Sequence, residues 1–184
     1  MTQQRTLASA ELKSIYLDIV LNNLLLRGRL RELDEGGRLV DILNSQDAML
    51  TLYSVKVSDW MGNTIALLPD MGIEKQHILA AVPTETEDYK RQRRMSAFGV
   101  AHPTLKAIPV LALLPPLVVK GIAYVQPTVR LLRPDSTTFS RFLPLTDAEL
   151  TLPTQRTISA AILVVNRDMM AAITAIQSPE SFPT

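Results

Sequence analysis

Laid over itself with a shift of 93 residues, the chain places Leu24-Leu25-Leu26-Arg27-Gly28 on Leu117-Val118-Val119-Lys120-Gly121, and Met49-Leu50-Thr51-Leu52 on Phe142-Leu143-Pro144-Leu145. A shift of 91 places Ile78-Leu79-Ala80-Ala81-Val82 on Met169-Met170-Ala171-Ala172-Ile173, so the second copy is expected to be shorter by two residues in a loop. A unit used twice restricts the fold strongly, because both copies must suit one architecture while the chemistry is left to individual loops.

The residues of the repeat alternate with period two. Ile15, Leu17, Ile19 and Leu21 interleave with Tyr16, Asp18, Val20 and Asn22, the pattern of a strand with one buried face. Asn22-Asn23 then supplies the backbone freedom of a tight turn. Alternation resumes with Leu24, Leu26, Gly28 and Leu30, which predicts a first hairpin. An amphipathic helix from Ala10 to Leu26 competes with it, since Leu12, Ile15, Tyr16, Ile19 and Asn23 also lie at helical spacing. The second copy decides for the hairpin: Ile108, Val110, Ala112 and Leu114 alternate, and Pro115-Pro116 stands where Asn22-Asn23 stood.

Further strands are expected at Leu50 to Val57, closed by a turn at Trp60-Met61-Gly62-Asn63, and at Ile65 to Leu68 and Ile78 to Val82. The second copy supplies Val118 to Val125, Arg141 to Leu150, Ile158 to Val165 and Met169 to Ile176. Leu39 to Leu43 reads as a helical turn or a short strand, and Pro134 in the counterpart argues against a regular helix. Thr84-Glu85-Thr86-Glu87 has capping-box spacing, with acids first and Lys90, Arg91, Arg93 and Arg94 later, so a helix is expected over 85–96. The expected fold is mainly β: two tandem related small barrel-like or strongly bent antiparallel sheet units joined by a short helix. The divisions are an N-terminal segment 1–14, a first unit 15–83, a helical linker 84–103, a second unit 104–178 and a tail 179–184.

With 184 residues, 47% of them hydrophobic, the chain can bury a substantial core. The longest apolar run, Ile108 to Val119, is broken by Pro109, Pro115 and Pro116 and falls short of the roughly 20 residues of a membrane-spanning helix. No span is expected, and the polar start Met-Thr-Gln-Gln-Arg does not resemble a secretory signal. The absence of cysteine removes disulfides, thiolate metal sites and cysteine nucleophiles, and fits a cytoplasmic location. Net charge is +1, but residues 1–95 carry 12 of the 19 basic and 13 of the 18 acidic side chains. The less charged second half suits burial or self-association.

Catalytic signatures are missing: there is no histidine pair at metal-ligand spacing, no glycine-rich phosphate loop and no nucleophile elbow. No catalytic residue, cofactor or metal is therefore expected, and scattered carboxylates such as Asp34, Asp41, Asp47 and Asp59 suit turns better than acid-base work. Arg27, Arg29 and Arg31 are spaced to share one strand face about 7 Å apart, where they could hold phosphates or carboxylates or simply keep a sheet face solvated. The Lys90 to Arg94 cluster is offset by the acids preceding it.

The first unit resembles the Sm-like family, which includes the Hfq-type RNA chaperones. The resemblance rests on a strand, an Asn-containing turn and the run Gly28-x-Leu30-x-x-Leu33-Asp34, similar to the first Sm motif. It rests also on Lys75-Gln76-His77-Ile78-Leu79-Ala80-Ala81-Val82-Pro83, similar to the Hfq-type closing segment. It implies a five-stranded bent barrel that assembles into rings and binds RNA through loops, with Asp34 and Arg38 in one loop and Lys75 and His77 in the other. The chain departs from the family where Arg38 replaces an asparagine, in the longer span from Gly28 to Lys75, and in the second unit, where Pro127 replaces Asp34. A looser resemblance, through Asn166-Arg167-Asp168-Met169-Met170, is to bacterial domains of uncharacterised role.

The expected function is a non-enzymatic binding or assembly module, a homo-oligomer or one contacting a protein partner. The alternative is an Sm-like RNA-binding module, with Arg27, Arg29, Arg31, Arg38, Lys75 and His77 as candidate anion or nucleic-acid contacts.

Overall fold

In the computed structural model, residues 15–30, 38–84, 105–126 and 140–176 are described. The alternating stretches form ten strands. The first five are β1 (Ile15–Val20), β2 (Leu24–Leu30), β3 (Met49–Asp59), β4 (Thr64–Glu74) and β5 (Ala80–Thr84). The second five are β6 (Lys106–Leu114), β7 (Leu117–Val125), β8 (Phe142–Thr151), β9 (Thr157–Asn166) and β10 (Ala172–Ala175). Leu39–Leu43 forms a one-turn helix, α1, the first of the two expected alternatives; Leu39 and Leu43 are buried, so packing holds it. The linker helix expected over 85–96, Arg31, Asp34 and the Lys90 to Arg94 cluster lie outside the described residues.

The strands make one antiparallel sheet in the order β10-β6-β7-β8-β9-β5-β1-β2-β3-β4, open at both ends rather than closed into barrels. The hairpin at Asn22-Asn23 pairs Ile19 with Leu26 and Asp18 with Arg27. Across the sheet the order of the first five strands, β5-β1-β2-β3-β4, recurs in the second five as β10-β6-β7-β8-β9.

The correspondence extends to irregularities. Pairing of β2 with β3 slips between Arg27 and Arg29, and pairing of β7 with β8 slips between Lys120 and Ile122. Each slip accompanies a residue at positive φ, Ser54 at 52° and Asp147 at 47°. Each also faces a glycine: a Cβ on Gly28 would lie 3.0 Å from Leu52 Cβ, and one on Gly121 would lie 3.1 Å from Leu145 Cβ. Glycine is required there because the strand bends back against its neighbour.

The closing segments correspond with a shift of 92 rather than 91. Leu79 N–H donates to Val20 O as Ala171 N–H donates to Leu113 O, and Lys75 N–H donates to Ala48 O as Arg167 N–H donates to Arg141 O. The β8–β9 hairpin is one residue shorter than β3–β4, whose pairing slips again between Val57 and Ser58. Residues 75–77 form a 3₁₀ turn, as do residues 167–169, so Met169 precedes its strand instead of starting it.

Two cores result. One is built on Leu17, Ile19, Leu26, Leu50, Leu52 and their neighbours; the other on Val110, Val119, Leu145, Leu150 and theirs. At the middle of the sheet, successive residues enter different cores: Ile19 and Val20 on β1, Ala81 and Ala80 on β5, Val164 and Val165 on β9. Since successive strand residues face opposite ways, the sheet is buried on both faces there. Phe142 of β8 belongs to the core of the first five strands, and Val20, Leu79 and Val82 belong to the other.

Candidate interaction edges and the seam between strand sets

Of the six expected contact residues, five lie among the described residues, and they differ in burial and in partners. Arg27 and Arg29 share the outer face of β2, as alternation requires, while Arg31 lies outside the described residues. Arg27 is held by Asp18 directly across the hairpin through two 2.6 Å bonds, which raise its pKa above the ordinary arginine value. Arg29 lies over the Tyr16 ring, 5.6 Å from its centroid. Arg38 forks onto Asp41 with two 2.9 Å bonds, holding that carboxyl below its usual range.

Lys75 is 2% exposed, and its Nζ donates to Ile42 O at 2.6 Å and Ser45 Oγ at 2.8 Å. Desolvation lowers its pKa, with Arg141 contributing in the same direction and Asp47 opposing. It fastens the end of α1 to the closing turn and presents no charge to solvent. His77 is exposed, 3.2 Å from Glu74.

Arg27 and Asp18 border a cleft of about 660 Å³ between β5 and the β8–β9 hairpin, whose other charged residues among those described are Asp147 and Glu149. Among the described lining residues three carboxylates accompany one paired arginine, while Lys56 and Lys120 stand across the strands from Arg27 and Glu149. Asp147 and Glu149 were not legible as lining residues, because the cleft exists only once β8 and β9 stand beside β5. Among the described residues, no group of three or more His, Cys, Asp or Glu is placed to hold a metal ion.

The densest contacts between the strand sets are at the seam. Ala80 pairs with Val165 and Ala81 with Val164. Asn166 N–H donates to Leu79 O and its Nδ2 to Ile78 O, each at 2.9 Å. Asn44, just after α1, accepts from Phe142 N–H at 2.9 Å and donates to Phe142 O at 3.1 Å. Phe142 itself is 1% exposed.

The outermost strands are the counterparts of the seam strands. β4 corresponds to β9 and β10 to β5, yet among the described residues neither has a strand on its outer side. Met49, paired with Glu74 as Phe142 is paired with Asn166, is 48% exposed. Along β4, Ile65 and Leu67 are also exposed, Leu67 by 75%. A long edge carrying large apolar side chains is a template for another strand. The overlay of Met49 on Phe142 was visible in the sequence; that Phe142 is covered and Met49 half exposed was not.

No family model, no curated protein and no solved structure matches the chain. Among the described residues no helix is long and apolar enough to cross a membrane.

Proposed function

We propose that the protein is a non-enzymatic assembly module: two related five-strand units in tandem, joined within the chain by β5 and β9 and joined between copies by β10 and β4. The observation that carries this is the pair Phe142 and Met49, one enclosed at the internal seam and the other half exposed on β3, beside the corresponding free edge. Strand order supports it, since each chain ends in one edge of each kind. Such a contact is head-to-tail, and repeats of it close into a ring or extend as a filament.

The Sm-like RNA-binding alternative keeps one supporting feature, the cation over an aromatic ring formed by Arg29 and Tyr16 on the outer face. It is weakened by the pairing of Arg27 and Arg38 and the burial of Lys75.

Light-scattering molar mass across protein concentration and salt tests the assembly. The expected result is a mass that rises with concentration to a multiple of the 20.4 kDa chain, holds in high salt, and returns to 20.4 kDa in Met49→Lys. A chain that stays at 20.4 kDa throughout overturns it. Co-purified nucleic acid released by salt, and lost on neutralising Arg29, would favour the alternative.

A further inference from the structure

The seam and the free edge differ in one side chain whose chemistry bears directly on strand pairing. Asn166 ends β9 and is fully buried. Its Oδ1 accepts from Asp168 N–H at 3.1 Å, leaving Nδ2 to donate to Ile78 O across the seam. Glu74 holds the matching position on β4: it pairs with Met49, ends its strand and leads into the 3₁₀ turn at Lys75–His77. An ionised carboxylate accepts hydrogen bonds and has none to donate. In this chain it accepts from Gln76 Nε2 at 2.6 Å and lies 3.2 Å from His77 Nε2.

The 92-residue correspondence of the closing segments makes Met170 the counterpart of Ile78. When the internal seam is copied onto the free edges, Glu74 therefore faces the main-chain carbonyl of the partner subunit's Met170. There an acceptor meets an acceptor, and the amide donor that clamps the internal seam is missing.

We propose that Glu74 sets the strength of the contact between copies, keeping it weaker than the internal seam by withholding the donor that Asn166 supplies. This assignment rests on the head-to-tail assembly proposed above, and the partner it concerns is a second copy of the chain. The consequence is an order of events: each chain closes its own seam first, and copies add reversibly afterwards. Glu74 is exposed and its side chain holds no part of the core, so replacing it leaves the fold intact.

The test compares association constants of wild type, Glu74→Asn and Glu74→Ala by sedimentation equilibrium, with Met49→Lys as the dissociated reference. Glu74→Asn restores the donor and is expected to tighten association by about tenfold or more, since a hydrogen bond replaces two opposed acceptors. Glu74→Ala removes the carboxylate without supplying a donor and is expected to fall between the two. If wild type associates, Met49→Lys does not, and Glu74→Asn matches wild type, the role of Glu74 is overturned while the assembly stands. Equal tightening by alanine and asparagine overturns the donor argument. If wild type and Glu74→Asn both remain single chains, the assembly falls and this proposal with it.

Discussion

The internal seam and the free edges of this sheet are built from corresponding strands, and they differ in what covers them. At the seam, the first residue of β8 is a phenylalanine sealed into the neighbouring core and braced by Asn44 on both its backbone groups. Beside the edge, the first residue of β3 is a methionine with half its surface in water. Burial is therefore not a property of the strand position but of whether a neighbour is present. A bare copy of a buried position is a stronger sign of an interface than exposed apolar area alone.

The largest expected effect sharpens that contrast. Phe142→Ala should destabilise the chain by about 3–5 kcal/mol, as for a large aromatic removed from a core. Met49→Ala, measured on dilute unassembled protein, should stay within about 0.5 kcal/mol of wild type. Urea titrations of both variants measure the difference, and equal losses would break the comparison.

The next effect asks whether the two strand sets are equally tight. Gly28→Ala and Gly121→Ala each drive a Cβ against the Cβ of a facing core leucine, so each should cost about 1–3 kcal/mol by thermal or urea unfolding. A loss confined to Gly28→Ala would mean that the second set packs more loosely at its bend.

The smallest effect distinguishes the two bulges. Ser54 carries a left-handed backbone that costs about 1–2 kcal/mol, and glycine gives back about 0.5–1 kcal/mol of that in chain entropy. Ser54→Gly should therefore raise stability by roughly 0.5 kcal/mol. Asp147→Gly should gain less, because aspartate tolerates this region better.

Much of the sheet could be read from alternation. The β1–β2 hairpin, β7 to within one residue and the turn at Trp60 to Asn63 follow from period-two patterns and turn residues. β4 was legible only as far as Leu68, because Pro69, Asp70 and Gly72 are poor strand formers. At an edge, proline costs no ladder bond when its nitrogen faces away from the neighbour, and the strand runs on to Glu74.

The candidate contacts were less legible for a different reason. Lys75 and His77 stand two residues apart in a polar stretch, yet one is buried beneath α1 and the other is in water. Nothing local separates them; the difference is made by Ile42 and Ser45, some thirty residues away in the chain. Asn166 was visible as part of a closing run, but its role depends on Ile78 O lying across the seam.

Each core borrows side chains from the other strand set, Phe142 and Val164 in one direction, Val20, Leu79 and Val82 in the other. Melting either half would strip the other of part of its interior, so heat should take both together in a single calorimetric transition. Two centres of packing are thus expected to share one melting point.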